Sequence, residues 1–373
     1  MDLFYHQLHD LLQAGETVAM ATVVATRGST PREVGAKMLV RGSGGIMGTV
    51  GGGCGEAQVW RTALQVLETG RPQVTVVDLT EEVRLDSAGI CGGTMEVWVE
   101  PWGGEDADRS IAALLAESYR RREPVVLATL VETPEGFPLG GRRALVSSRG
   151  VPVLDPGWPL PQEWLVQEAV ATLEVEGGRF AACGPSGEAP EPGSKMVRLW
   201  LEPVRPAPRL IVLGAGHIAQ PLVIMGRLLG FQVAVLDDRA TFAHPQRFPE
   251  ADTVLAADFR DGIRQLAVDR DSYVVLATRG HQHDVECLRE LVGSEPAYLG
   301  MIGSRRRVGG VFDLLQREGV PAERLRRVHA PIGLDLGART PAEIALSIAA
   351  EIVKVRRGGK ARSLSERVLS SGF

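Results

Sequence analysis

Cysteine is scarce in this chain: four residues in 373, Cys54, Cys91, Cys183 and Cys287, widely spaced and without a C-x-x-C pair. That pattern excludes zinc fingers and a disulfide scaffold and predicts a cytoplasmic protein with reduced thiols. No apolar run reaches the ~20 residues of a membrane-spanning helix. The first residues, Met1-Asp-Leu-Phe-Tyr-His, lack the basic-then-apolar pattern of a signal peptide. An excess of positive charge is also missing. The net charge is −5, from 41 basic against 46 acidic residues, so no whole-chain field favours nucleic acid. Heptad repeats and methionine stripes are absent. What remains, at 44% hydrophobic and 23% charged residues, is an ordinary globular composition, and the length predicts two or three domains.

Against that background one stretch stands out: Gly48-Thr-Val-Gly-Gly-Gly-Cys54-Gly-Glu56. A β-like segment over 45–50 runs into three glycines and a cysteine. Val59, Ala63, Val66 and Leu67 then recur at helical spacing until Gly70. A glycine-rich turn feeding a helix leaves N–H groups pointing outward, which favours anions such as phosphate. The same field stabilises a thiolate at Cys54. A tight turn around a buried cysteine fits the pattern as well.

The first two hundred residues contain a duplication. The run from Glu16 (Glu-Thr-Val-Ala-Met-Ala-Thr) matches that from Glu123 (Glu-Pro-Val-Val-Leu-Ala-Thr). Gly35-Ala-Lys37 matches Gly141-Arg-Arg143, and Trp98-Val-Glu100-Pro101 matches Trp200-Leu-Glu202-Pro203. Each copy reads strand, strand, helix, strand, strand, with helices over 56–69 and 163–176 and later strands over 73–78 and 179–183. Neither copy alone has much core, so the two should pack as a pseudo-symmetric pair. The difference between them is informative. The first carries Gly28-Ser-Thr-Pro31, the Cys54 loop and Cys91-Gly92-Gly93; the second has no counterpart. Cys91 and Cys54 are therefore expected at one edge of the first sheet. Arg27, Arg32 and Lys37 supply positive charge there, or are simply solvated.

A proline-rich linker over 202–208 precedes Arg209-Leu-Ile-Val-Leu213, a buried-strand run. Gly214-Ala-Gly216-His217-Ile-Ala219 follows, then a helix-like stretch, Gly230, and a second strand ending in Asp237-Asp238. This is G-x-G-x-x-A in strand–turn–helix context, with an acid at the ribose position, and it predicts a Rossmann-type fold. Later strand ends carry Thr278-Arg-Gly-His281-Gln-His283-Asp284 and Gly303-Ser304-Arg305-Arg-Arg307. The histidine cluster has no second metal-binding group at suitable spacing. The fold class is therefore α/β: a duplicated N-terminal domain over 1–203 (repeats about 1–104 and 105–203), a Rossmann-type parallel sheet over 209–357, and an unstructured tail over 358–373.

Gly28-Ser-Thr-Pro31, Gly51-Gly-Gly-Cys54-x-Glu56, Gly214-Ala-Gly216-His217, Tyr298-Leu-Gly-Met-Ile-Gly-Ser304 and His329-Ala-Pro331 through Thr340-Pro-Ala-Glu343 together resemble the xanthine dehydrogenase accessory family, XdhC/CoxI. The resemblance spans residues of about 10 to about 357. It implies a chaperone that binds molybdenum cofactor, supports its sulfuration by a separate cysteine desulfurase, and delivers it to a molybdenum hydroxylase client. It also implies that Cys54 and Cys91 belong to the cofactor site. Molybdenum cofactor is an anionic pterin with a phosphate and a soft metal centre, so a helix N-terminus suits the phosphate and Cys54 the molybdenum or its sulfido ligand. The expected cofactor-binding residues are Gly52, Gly53, Cys54, Glu56, Cys91 and Gly92, with Gly214, Gly216, His217, Asp237, His281 and Ser304 in the Rossmann crevice. The two groups are expected to share a cleft, within one chain or across a symmetric homodimer. The crevice would hold NAD or another nucleotide, or serve as scaffold. The competing reading is an NAD-dependent oxidoreductase.

Overall fold

The computed structural model describes residues 2–79, 92–134, 141–155, 157–175, 177–189, 196–363 and 365. The chain divides into two units, Met1–Pro206 and Ala207–Phe373. The first begins with α1 (Asp2–Gln13), β1 (Val18–Arg27), β2 (Lys37–Arg41), β3 (Ile46–Gly48), α2 (Gly53–Thr69), β4 (Gln73–Asp78) and β5 (Thr94–Trp102). The series then repeats as α3 (Asp106–Arg121), β6 (Val125–Glu132), β7 (Arg143–Ser147), β8 (Pro152–Leu154), α4 (Gln162–Thr172), β9 (Arg179–Cys183) and β10 (Val197–Val204). The sheets have matching antiparallel orders, β3-β2-β1-β5-β4 and β8-β7-β6-β10-β9.

The β-like segment read over 45–50 is the short third strand β3 of the first copy; the second copy repeats it as β8, and each copy has a leading helix beyond the elements read from the sequence. The leading helices follow from spacing: Tyr5, Leu8 and Leu12 on α1, and Ile111, Leu115 and Tyr119 on α3, recur every three to four residues. They bury together with Met20, Leu39, Leu127 and Leu145 in a core that both copies build. On the other face, α2 covers the first sheet through Val59, Ala63 and Val66. Leu165 and Ala169 of α4 do the same for the second. Both sheets are thus covered on both faces, and neither copy completes its core alone.

Two buried ion pairs join the copies reciprocally. Lys37 Nζ lies 2.7 Å from Glu202 Oε2, and Arg143 Nη2 lies 3.0 Å from Glu100 Oε2. Lys37 also donates to Thr22 Oγ1 at 2.8 Å, and Arg143 also binds Asp108. Burial alone would lower the Arg143 pKa, but Glu100 and Asp108 reverse that and push it up. Lys37, offered by the sequence as charge near the Cys54 loop, is 8% exposed and committed to the repeat interface. Removing one partner of such a pair leaves a buried charge unpaired, at a cost of about 3–5 kcal/mol.

The second unit is built from β11 (Arg209–Leu213), α5 (Ala219–Leu228), β12 (Gln232–Asp237), β13 (Thr253–Ala256), α6 (Phe259–Leu266), β14 (Ser272–Leu276), α7 (His281–Leu291), β15 (Tyr298–Met301), α8 (Arg305–Arg317), α9 (Ala322–Leu325) and α10 (Pro341–Arg357). Its sheet is parallel throughout, in the order β13-β12-β11-β14-β15. Helices α6 to α9 cover one face and α5 with α10 the other, the doubly wound arrangement the glycine motif predicts. Glu343 closes a capping box on α10, accepting from the Thr340 and Arg339 N–H groups at 2.9 and 2.7 Å. Most of the tail expected over 358–373, namely 364 and 366–373, lies outside the described residues. Among the described residues no helix is long and apolar enough to cross a membrane.

Candidate functional site

In the first unit, three glycine-bearing loops converge at one end of the first sheet. A Cβ added at Gly93 would lie 2.5 Å from the Arg27 and Ser29 carbonyl oxygens, and one at Gly28 2.8 Å from the Gly92 oxygen. Only glycine permits this approach. The third loop joins through Gly51, where any side chain would strike the Pro31 ring. Residues 28–32, 51–54 and 92–93 therefore form one surface. Cys91, expected beside Cys54, lies outside the described residues.

Glu56 organises this surface. It points back from α2, and one carboxylate oxygen accepts from the Thr49 hydroxyl and from the Val50 and Gly52 N–H groups, the latter two at 3.2 Å. Burial raises its pKa, but the Thr49 hydroxyl and the Gly52, Val50 and Gly51 N–H groups outweigh burial and hold the carboxyl below its ordinary range. Glu56 is thus the clamp of the loop, its carboxylate already filling part of the nest the sequence assigned to a ligand anion. The next donors along the chain, the N–H groups of Gly53, Cys54 and Gly55, make no hydrogen bond to a described residue, and the helix has no side-chain cap. Gly55 is buried against Val77, which turns the neighbouring Cys54 outward, where its side chain is exposed. Gly52 and Gly53 face open space. Arg27 and Arg32 are exposed beside them and form no ion pair with a described residue.

The other described thiols differ. Cys183 and Cys287 are buried. Burial pushes the Cys183 pKa up to about 11, and it raises that of Cys287 further. In the second copy, Asp155 occupies the position of Thr49: its N–H donates to the Arg143 carbonyl at 3.1 Å, as that of Thr49 donates to Lys37 at 3.0 Å. Its carboxylate turns inward onto the Arg143 N–H. The duplicated scaffold holds no exposed cysteine there.

In the second unit, Gly214 has φ +111°, and a Cβ there would lie 2.4 Å from the Ala277 oxygen, so the turn fits only glycine between β12 and β14. Gly216 faces open space, His217 is exposed, and the N–H groups of Gly216, His217 and Ile218 make no hydrogen bond to a described residue. A phosphate can reach this turn. Asp237, expected to meet a ribose, is 1% exposed. It accepts from the Ala215 N–H at 2.8 Å and from Arg239 Nε and Nη2 at 2.8 and 2.9 Å. Burial raises its pKa, but Arg239 and the Ala215 N–H overcome burial and lower it. The acid beside it, Asp238, is gripped by Arg279 from the end of β14, which pulls its pKa to about 2. Sequence reasoning missed this pairing; the signal was an arginine two residues beyond the acid and another at the next strand end.

His281 and Ser304 meet in a shallow depression between the first turns of α7 and α8, lined also by Arg306, Arg307, Gly310 and Leu314. Ser304 caps α8, accepting from the Arg307 N–H at 3.2 Å. Asp284 is fully buried, held by Thr278 at 2.6 Å and Arg307 at 2.5 Å. His283 lies over Phe259. Among the described residues no group of three or more histidine, cysteine or acidic side chains is placed to hold a metal.

Residues 11–79 match the model of the XdhC and CoxI family, and residues 210–352 match the XdhC Rossmann domain. YqeB, an uncharacterized protein of Escherichia coli K12, is 28% identical over 339 residues, and the match spans 91% of this chain but only 43% of that relative. A Bacillus subtilis protein described as a probable component of xanthine dehydrogenase is 27% identical over 364 residues, 96% of this chain and 98% of that protein. The molybdenum cofactor insertion chaperone PaoD of Escherichia coli K12 is 24% identical over 350 residues, 93% of this chain and 86% of that one. Among solved structures, one from Bacillus halodurans described as a xanthine dehydrogenase is 26% identical, with a TM-score of 0.73 over 96% of this chain and 98% of its own.

Proposed function

The chain belongs to the XdhC and CoxI family, and from that premise we propose that it is an accessory protein that binds molybdenum cofactor and hands it to a molybdenum hydroxylase. One observation carries the reading. The loop cluster around Cys54 is built on a scaffold that the same chain repeats without it, so folding does not account for the exposed thiol, or for the N–H groups and arginines that have no partner among the described residues. This donor set fits the cofactor: Gly53, Cys54 and Gly55 N–H groups with Arg27 and Arg32 for its phosphate, and the Cys54 thiol for its soft metal centre. The cofactor itself supplies the molybdenum and its sulfido or oxo ligand. Glu56 holds the loop in the receptive shape. Contacts this few and this open suit a carrier, which has to release its cargo. Support for sulfuration by a cysteine desulfurase rests on the family resemblance, as does the identity of the client class.

The Rossmann turn, in the same proposal, takes a phosphate of a nucleotide, through Gly216, His217 and Ile218. An NAD-dependent oxidoreductase finds less support, because an incoming ribose would have to displace Arg239 from Asp237 or Arg279 from Asp238. The test is transfer. The purified protein, loaded with isolated molybdenum cofactor, should restore activity to a molybdenum hydroxylase prepared without it, and should not oxidise NADH. No transfer, together with steady NADH turnover, would reverse the choice.

A further inference from the structure

The motif opening at His329 lies along the edge strand β15, two strands from the Rossmann turn. Its backbone extends the parallel sheet. The His329 N–H donates to the Leu299 oxygen at 2.8 Å, and the His329 oxygen accepts from the Met301 N–H at 3.0 Å. The imidazole stacks on the Tyr298 ring, centroids 4.6 Å apart, with Nδ1 3.8 Å from Glu351 Oε1. Glu351 is buried on α10 and fixed by two further donors on Oε2, the Tyr298 hydroxyl at 2.5 Å and the Gly333 N–H at 2.9 Å. The other imidazole nitrogen, Nε2, makes no hydrogen bond to a described residue. A ring held on one face and at one nitrogen keeps the second nitrogen in a fixed place.

That ring lines a cavity of about 260 Å³ at the amino end of β15, shared with Ser294, Glu295, Arg324 and Arg327. The two arginines stand three residues apart on one turn, the Arg327 N–H donating to the Arg324 oxygen at 3.2 Å. Arg324 uses one N–H on the Val292 oxygen at 3.3 Å. Neither arginine forms an ion pair with a described residue, because the nearby acids are taken: Glu295 by Arg270 at 3.3 Å and Glu323 by Arg326 at 3.2 Å. Two guanidinium groups and a positioned imidazole thus share one cavity without a carboxylate to neutralise them.

We propose that this cavity is a phosphate site, separate from the Cys54 loop and from the Rossmann turn, taking free phosphate or the phosphate group of a small metabolite. Arg324 and Arg327 supply charge-assisted hydrogen bonds, and His329 closes the third side, oriented by Glu351 behind it. Three donor groups suit a tetrahedral anion with several outward oxygens better than a carboxylate, which offers two on a single edge.

Arginine modification of the native full chain by phenylglyoxal, mapped by mass spectrometry, tests this. Inorganic phosphate in the millimolar range should protect Arg327 and leave Arg326 reacting as before. Acetate at the same ionic strength should protect neither. Glycerol phosphate should protect at lower concentration than inorganic phosphate if the natural ligand is a phosphate monoester, and at equal or higher concentration if it is free phosphate. Arg324→Ala and His329→Gln, each checked for an unchanged melting curve, should raise the phosphate concentration needed at Arg327 at least about tenfold. Arg324→Ala, at an exposed position, carries the test if His329→Gln does not fold. Arg326→Ala should leave protection unchanged. Arg327 reacting at one rate with and without phosphate overturns the proposal. So does protection that extends equally to Arg326, or that acetate reproduces, or that Arg324→Ala leaves unchanged. Gly216→Val should be protected as the wild type is, so the outcome is independent of the cofactor and nucleotide readings.

Discussion

Replacing Glu56 by alanine separates a loop built for a ligand from one that merely happens to be open. In the wild type a single carboxylate oxygen serves the Thr49 hydroxyl and two N–H groups. Val50 is fully buried, so its N–H loses its partner without gaining water, which costs about 1–3 kcal/mol. Gly52 is exposed, and solvent replaces most of what its N–H loses. A net loss of about 2 kcal/mol in a unit of this size corresponds to a fall in melting temperature of about 4–8 °C. All six tryptophans lie in the first unit, so their fluorescence during heating reports that unit alone. The depressed pKa sets a pH dependence as well. The contribution of Glu56 is present above the ordinary glutamate value of about 4.3 and is lost as pH falls through the lower folded value. Glu56→Gln should remove that acid-side component. Cofactor retention should fall with stability in Glu56→Ala. An unchanged melting temperature with unchanged retention would refute the clamp.

Glu202→Gln should destabilise the first unit by about 3 kcal/mol or more, read from denaturant unfolding followed by tryptophan fluorescence, because Lys37 is left buried without its counter-charge; a change below about 1 kcal/mol would mean the pair is solvated. Gly216→Val should keep the far-ultraviolet circular dichroism of the wild type and lose any nucleotide affinity seen by calorimetry with NAD, ATP and CTP. Wild-type protein silent to all three would leave the crevice as scaffold. Alkylation of the native protein, mapped by mass spectrometry, should modify Cys54 and spare Cys183 and Cys287, whose thiols are buried and held protonated; rapid labelling of either buried thiol would contradict the cores described.

Much of this was legible in the chain. Strands over 73–78 and 179–183 stand where the apolar alternation puts them, and Gly214, with its strand before and helix after, announces the parallel sheet. Helices α1 and α3 carried a readable signal in Tyr5, Leu8 and Leu12 and in Ile111, Leu115 and Tyr119, but their purpose appears only when the two copies meet. Lys37 reads as a solvated charge because most lysines are solvated. The clue to its burial was the repeat itself: a basic residue at 37 and 143 and a glutamate at 100 and 202, kept in both copies within otherwise apolar strands. Glu56 as clamp, and the capture of Asp237 by Arg239, depend on side chains folding back over a few residues, which periodicity does not encode.

The central claim, that the Cys54 loop is where the cofactor is held, meets its most direct test in metal and pterin analysis of protein purified from a molybdate-fed host. Wild type and Cys183→Ser are expected to carry molybdenum and pterin together in equal proportion, and Cys54→Ser to lose most of both while its melting curve is unchanged. Cys54→Ser protein holding the wild-type content would contradict the account, and so would a loss as large in Cys183→Ser.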